Sequence, residues 1–284
     1  MKIFITGATG FVGNALVRKI RSKNWEILCI ARNIKKTQPN KNIQFISFDI
    51  YSKKLNLFKK YGVPDILIHL AWPGLPNYQE NFHIKKNLPN EKKFLFNAIE
   101  SGVKQIIVSG TCFEYGNQEG CLNEDSKTIP NTKYAIAKNL LRKELIKKQK
   151  KKYFNLQWIR LFYVFGSNQN PKSLFPSLKQ AINKKKKNFN IAKGRICRDF
   201  IPVEDVAKYI IHLCLNPNLN GVINCCSGRP LTIRSFVKQY VEKRKSKLKI
   251  KIGKFQKPNF EPKSFWGSTS KMLSLSFKLK NKLF

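Results

Sequence analysis

Short apolar runs alternate along this chain with stretches whose apolar residues recur at helical spacing. KIFIT (2–6) reads as a buried strand, and NALVRKIRSK (14–23) then carries apolar side chains at 16, 17 and 20, along one face of a helix. WEILCIA, IQFISFD, DILIHLA, QIIVSG and LQWIRLF follow as further strands. Between the later ones lie helical stretches such as NEKKFLFNAIESG, which ends on a glycine suited to a C-cap. Strand and helix alternating at this interval predict an α/β fold, a doubly wound parallel sheet with helices on both faces. Near the other end, VEKRKSKLKIKIGKF (241–255) predicts a charged helix end followed by a strand.

Composition changes this picture in one respect. The 284 residues and their 42% hydrophobic content suffice for a large domain, or a domain and a lobe. Against 55 Lys and Arg stand only 16 Asp and Glu, a formal net charge of +39 at pH 7. So basic a balance suits a nucleic acid, an anionic surface or an anionic small substrate. Lys, Asn, Ile and Phe are all abundant together, the mark of an AT-rich coding bias that puts lysine on any solvated face. The runs KKQKKK (147–152) and KKKK (184–187) lack the interleaved aromatics of a single-strand platform, so nucleic acid is not the expected partner. The seven cysteines form no CxxC pair and, with three histidines, show no metal-ligand spacing. No metal is expected, and the thiols read as reduced. The chain shows no apolar stretch of roughly 20 residues, as a membrane span needs, and its first apolar run stops at Gly7, too soon for a signal peptide. A soluble cytoplasmic protein with no membrane partner is expected.

The first candidate chemistry is GATGFVG (7–13), placed between the first strand and the first helix. In a doubly wound sheet this turn receives the pyrophosphate of a dinucleotide. Gly7 permits the tight turn, Gly10 lets backbone approach the phosphates, and Gly13 lets the helix pack closely with its N-terminal amides toward the anion. A second candidate is YAIAK, which sets Tyr134 and Lys138 four residues apart on one helical face. An ammonium beside a phenol favours the phenolate, so this pair is expected to bring proton exchange closer to neutral pH.

TGATGFVG, SGTCFEYG (109–116), YAIAK, RLFYVFG (160–166) and RDFIPVEDVA (198–207) occur in that order. In this they resemble the extended branch of the short-chain dehydrogenase/reductase superfamily, the NAD-dependent epimerase/dehydratase family. The resemblance covers essentially the whole chain. It implies a Rossmann-type cofactor domain over residues 1–160, with residues 161–284 completing the sheet and forming a small C-terminal substrate-binding lobe. Counting back five from Gly116 places the family's catalytic hydroxyl at Thr111. The implied catalytic set is Thr111 to orient the substrate oxygen, Tyr134 to exchange its proton, and Lys138 to tune the phenol and hold the nicotinamide ribose. The implied cofactor wall comprises Gly7, Gly10, Phe11, Val12, Gly13, Arg32, Asp49, Ile50, Leu70, Ala71, Trp72, Ser109, Tyr134, Lys138 and Phe162. Thr111 and Arg198 are implied on the substrate side, Arg198 as the clamp on a sugar-nucleotide diphosphate, which a guanidinium fork suits well. A merely structural pairing of Arg198 with Asp199 or Glu204 is the alternative. Tyr163 departs from the RxxNVYG pattern of relatives, where an asparagine stands.

Cofactor choice rests on the end of the second strand. Ala31 occupies the place where an acidic residue would hold the ribose hydroxyls, and Arg32 follows it. NADP(H) is therefore favoured over NAD(H). Dehydratases of this branch carry Thr-Asp-Glu at the fifth-strand motif; here the residues are Thr111, Cys112 and Phe113, and Glu114 falls one place late. A 4,6-dehydratase is thereby rejected. HLAWPGLPNY (69–78), GTCFEYG and NFEPKSFWGS (259–268) resemble a subgroup of 6-deoxy-talose 4-dehydrogenases. That implies an NAD(P)-dependent oxidoreductase reducing, or reversibly oxidising, C4 of a dTDP-4-keto-6-deoxyhexose for surface polysaccharide biosynthesis. A nucleotide-sugar 4-epimerase ranks second. A non-catalytic dinucleotide-binding regulator or RNA-binding protein is the alternative from another class, with Thr111, Tyr134 and Lys138 together arguing against it. Relatives commonly dimerise through two helices of the cofactor domain, so a homodimer is compatible with the resemblance. His69 and His83 are expected to be structural.

Overall fold

The computed structural model describes residues 1–34, 39–52, 56–192, 196–255, 261–274, 277, 283 and 284. Its first half contains β1 (Lys2–Thr6), α1 (Phe11–Ile20), β2 (Glu26–Ala31), β3 (Ile43–Ser47), α2 (Leu57–Tyr61), β4 (Ile66–His69), α3 (Leu88–Glu100), β5 (Gln105–Thr111), β6 (Gly120–Leu122), α4 (Lys133–Gln149) and β7 (Asn155–Leu161). There follow β8 (Tyr163–Phe165), α5 (Leu174–Asn183), β9 (Asn188–Ala192), β10 (Cys197–Pro202), α6 (Val203–Leu215), β11 (Gly221–Cys225), β12 (Pro230–Thr232), α7 (Ile233–Lys243), β13 (Lys249–Phe255), β14 (Phe265–Gly267) and α8 (Ser270–Leu273).

Seven strands build the main sheet in the order β11-β7-β5-β4-β1-β2-β3, every neighbouring pair parallel. Parallel strands need crossovers, and the helices supplying them cover both faces. The alternation within KIFIT sorts its residues between two cores. Ile3 and Ile5 pack with Leu16, Ile20 and Ile210 on one face, while Phe4 packs with Leu95, Leu141 and Trp158 on the other. Each such buried side chain contributes about 1.5–3 kcal/mol before chain entropy is counted. The strand order reverses between β1 and β4, so the crevice for a ligand lies at their carboxyl ends, beside Gly7 and Leu70.

Helix boundaries differ from the periodicity in one informative place. The first helix begins at Phe11, three residues before the predicted run, because Gly10 has extended backbone and serves as its N-cap. The glycine turn therefore runs straight into the helix. At the other end of α3, Gly102 adopts φ +100° and its N–H donates to the Ile99 carbonyl, closing the helix as its sequence predicts.

Beyond residue 161 the chain returns β11 to the edge of the main sheet and packs α6 against α1. The rest forms the three-stranded sheet β12-β10-β8 and the pair β13-β9 around a separate aromatic core of Phe165, Phe200, Phe236 and Tyr240, while β14 pairs with the earlier strand β6 over a smaller core that includes Leu122 and Phe265. The run 184–187 is exposed and lies between α5 and β9. No helix among the described residues is long and apolar enough to cross a membrane.

Candidate active site

A cleft of ≈ 870 Å³ runs from the glycine turn, across the carboxyl ends of β1, β4 and β5, to Arg198 and Glu261. Every residue predicted for cofactor, substrate or catalysis lines it except Lys138, which lies directly behind the wall.

At one end the backbone is shaped by absent side chains. Gly7 adopts φ +68°, and a Cβ there would stand 2.8 Å from the Ala71 nitrogen. At Gly13 a Cβ would stand 2.1 Å from the Gly7 carbonyl oxygen, so any larger residue would push α1 off the turn. The N-terminal residues of α1, Phe11, Val12 and Gly13, line the cleft, and the positive end of a ten-residue helix suits a pyrophosphate there. This cradle fits a dinucleotide.

Farther along, Ala31, Arg32, Asp49, Ile50 and Tyr51 line the cleft, with Arg32 largely exposed. The Asp49 carboxylate accepts the Tyr51 backbone N–H at 3.0 Å. Tyr51 donates its hydroxyl to Glu91 at 2.7 Å; the other carboxylate oxygen pairs with His69 Nε2, and His69 Nδ1 lies 2.8 Å from the Thr6 hydroxyl. His69, Glu91 and Thr6 are wholly buried, so this chain ties the ends of β1 and β4 to α3 beneath the turn. His69 is structural, as expected. Tyr51 and Glu91 carry no sequence signal, because 40 residues separate two members of one hydrogen bond.

At the reacting end, Ser109 and Thr111 close β5, and Thr132 caps α4 by accepting the Ala135 N–H at 3.1 Å. That cap starts the helix that carries Tyr134 and, one turn later, Lys138. Tyr134 is packed against Trp72 (5.8 Å between centroids), Tyr78 (5.8 Å) and His83 (5.4 Å). Its phenol is pushed well above the usual tyrosine range, first by burial and then by Tyr78, Glu114 and Cys112, while the Thr111 hydroxyl pulls it back.

The Lys138 ammonium donates to the Ser109 carbonyl at 2.8 Å and lies 4.0 Å from the centre of the Trp72 ring. Buried itself, it is pushed down to about 8, with Glu91 and Glu114 opposing the shift. Lys138 stands one helical turn after Tyr134, and burial is the first cause of the shift at each.

His83 is also structural. Its Nδ1 accepts the Trp72 indole N–H at 3.0 Å and its Nε2 lies 2.9 Å from the Asn77 carbonyl oxygen, so it holds the wall residue Trp72 in place.

Arg198 is buried, and its partner is neither Asp199 nor Glu204. Nη2 donates to Glu261 at 2.5 Å, and Nη1 donates to the carbonyls of Cys197 (2.8 Å) and Lys263 (3.2 Å). Asp199 instead accepts from Ser227, Gly228 and Gly267. The guanidinium lies over Tyr163 and Phe265, and Tyr163 with Phe113 and Phe200 makes this end of the cleft aromatic. Phe265 is buried in a small core with Cys112, Tyr115 and Phe162. Cys112, where a dehydratase would carry an acid, is buried, and that burial pushes its thiol well up.

The model of the NAD dependent epimerase/dehydratase family matches residues 3–226. A relative named dTDP-6-deoxy-L-talose 4-dehydrogenase (NAD(+)), from Aggregatibacter actinomycetemcomitans, is 27% identical over 274 residues, which span 94% of this chain and 100% of that protein. ADP-L-glycero-D-manno-heptose-6-epimerase of Brachyspira hyodysenteriae is 26% identical over 260 residues, spanning 86% of this chain and 81% of that one. Among solved structures, UDP-glucuronic acid 4-epimerase from Bacillus cereus in complex with NAD superposes with a TM-score of 0.84 at 22% identity, covering 100% of this chain and 95% of that one.

Proposed function

The chain belongs to the NAD dependent epimerase/dehydratase family of nucleotide-sugar enzymes, and from that premise we propose that it is a 4-ketoreductase, reversibly a dehydrogenase, of a dTDP-4-keto-6-deoxyhexose. It would act in the cytoplasm, in surface polysaccharide biosynthesis. The observation that carries the reading is the shared cleft, in which Thr111 and Tyr134 open onto the same space as the Gly7–Gly13 cradle and Arg198. The talose 4-dehydrogenase matched along its whole length supports the C4 assignment. Cys112 and Phe113 at the dehydratase positions remove the acid and base that elimination of water needs.

The cofactor domain is assigned to residues 1–160 and the substrate side to residues after it. Gly7, Gly10 and Gly13 would hold the pyrophosphate, Arg32, Asp49, Ile50 and Tyr51 the adenosine end, and Leu70, Ala71, Trp72, Ser109 and Phe162 the nicotinamide end. When bound, the dinucleotide supplies or accepts the hydride. Thr111 donates its hydroxyl hydrogen bond to the C4 oxygen, and Tyr134, held as a neutral phenol by burial, gives that oxygen its proton as the alcohol forms. In the reverse direction the same oxygen returns the proton to Tyr134. Lys138 supports this from behind, holding the Ser109 end of β5 and the Trp72 wall. Arg198 binds the diphosphate. Arg32 in the cleft and the missing acid at Ala31 support NADP(H) over NAD(H), although the relative above is named for NAD(+).

The test follows NADPH and NADH consumption with freshly generated dTDP-4-keto-6-deoxyhexoses of the D and L series. Consumption with one series supports the ketoreductase and identifies the hand of the sugar. No consumption, with NAD released on denaturation and interconversion of an intact nucleotide sugar, replaces it with an epimerase.

A further inference from the structure

Glu114 lies outside every motif role assigned above, yet its carboxylate is wholly buried, accepts three hydrogen bonds and pairs with a second guanidinium. Oε1 accepts the Thr111 backbone N–H at 3.0 Å and the Trp158 indole N–H at 2.9 Å. Oε2 accepts Arg160 Nε at 3.0 Å and lies 3.5 Å from Arg142 Nε. The Thr111 hydroxyl in return accepts the Phe113 N–H at 3.2 Å, completing a reciprocal cap on the short turn Cys112–Tyr115. One lone pair of the Thr111 oxygen is thereby committed to the backbone, which fixes the hydroxyl beside the Tyr134 phenol.

Gly110 shows that the strand is built around this carboxylate. A Cβ there would stand 2.7 Å from Glu114 Oε1 and 2.2 Å from Trp158 Nε1, so only glycine lets both approach the end of β5. Arg160 in turn donates from Nη1 to the Glu124 carbonyl at 3.3 Å, and its guanidinium lies 4.3 Å from the centre of the Tyr115 ring. The carboxylate thus joins β5, β7 and α4 at the point where the reacting hydroxyl leaves the sheet.

We propose that Glu114 is a positioning residue for the reaction, fixing the Thr111 hydroxyl opposite the Tyr134 phenol through the Thr111 N–H and the turn that follows. The inference rests on the reading of Thr111 and Tyr134 given above. A misplacement of about 1 Å at a reacting group costs up to about 100-fold in rate. Glu114 also acts through space. Around the Tyr134 phenol stand Tyr78, Cys112, Thr111, Glu114 and the His83 ring, while Glu91, Glu114 and His83 bear on Lys138. In both cases Glu114 pushes upward.

The experiment compares Glu114→Gln, the pair Glu114→Gln with Arg160→Gln, and Thr111→Val, using NADPH and the keto sugar that the preceding assay identifies. A glutamine can serve Thr111 and Trp158, or Arg160, but not both, and the pair avoids leaving a buried guanidinium unpaired. Expected are folded proteins whose NADPH affinity and sugar KM change by less than about threefold while kcat falls about 10–100-fold. In the single Glu114→Gln variant the basic limb of the kcat profile should also move to lower pH, and the split between an unchanged KM and a lowered kcat separates positioning from a general loss of packing. If Thr111→Val leaves kcat intact, the reading of Thr111 fails. If Thr111→Val is impaired while the folded Glu114 variants keep the wild-type kcat and limb, the inference alone is overturned. Failure of both Glu114 variants to fold makes the residue a staple of the core and overturns it as well.

Discussion

The Arg198 guanidinium donates to the Glu261 carboxylate at 2.5 Å, and both residues line the cleft that the proposed nucleotide sugar must enter. An anionic diphosphate approaching Arg198 therefore meets a fork already engaged by a carboxylate and two carbonyls.

With Arg198 as the proposed diphosphate clamp, Glu261 would compete with the substrate for it, and its removal should help binding. Steady-state kinetics of Glu261→Gln should give a KM for the nucleotide sugar lower by about threefold or more with kcat nearly unchanged, whereas Arg198→Ala should raise KM by about tenfold or more. Equal KM values for all three proteins would remove Arg198 from substrate binding.

Replacing Tyr134 with Phe deletes the proposed proton donor and keeps the ring that packs on Trp72, Tyr78 and His83. Turnover should fall by about 10²–10⁴-fold, with dinucleotide affinity changed by less than about threefold. Single-turnover measurements beside a fluorescence titration of NADPH separate the two effects. A variant as active as the wild type would overturn the proton-transfer assignment.

Arg32 is the charged group that would meet a 2′-phosphate. Arg32→Glu should lower the ratio of kcat/KM with NADPH to that with NADH by about tenfold or more, since a carboxylate repels the phosphate and accepts ribose hydroxyls. An unchanged ratio would place the discrimination elsewhere.

His83 makes the wall acid-sensitive. Burial, with Lys138 adding to it, pushes its imidazole below the usual histidine range, while the Asn77 carbonyl and Glu80 oppose the shift. Because the unfolded chain binds the proton more readily than the folded one, stability rises with pH through this range and is lost as pH falls below about 6.5. Protonation would put N–H on Nδ1, facing the Trp72 indole N–H. Urea unfolding of the wild type between pH 5 and 7 should show this slope, and His83→Gln should flatten it; parallel slopes would assign the acid sensitivity to other groups.

Much of the fold was legible because its signals are local. Runs such as KIFIT and DILIHLA declare buried parallel strands, and the first glycine turn stands where β1 gives way to α1. The site residues named from motifs reach one cleft because β1, β4 and β5 lie side by side and release their loops at one edge. Glu91, Tyr51 and Glu261 escaped because each acts on a partner through contacts that no short spacing records, and Glu114, although its Thr-x-x-Glu spacing from Thr111 signals a capping box, has its other partners Trp158 and Arg160 far along the chain. Glu261 and Arg198, for instance, are 63 positions apart.

By itself the sequence determined the strand and helix order, the glycine cradle and the common helical face of Tyr134 and Lys138, since each depends on backbone geometry over a few residues. Tertiary structure alone decided where the charges sit. It placed the Lys138 ammonium on the Ser109 carbonyl, gave Arg198 the carboxylate of Glu261, and gathered Trp158, Arg160 and Thr111 around Glu114. The physical reason is that a buried charge takes its energy from desolvation and from whichever partners the sheet order brings within a few ångströms, and neither is written in the spacing along the chain.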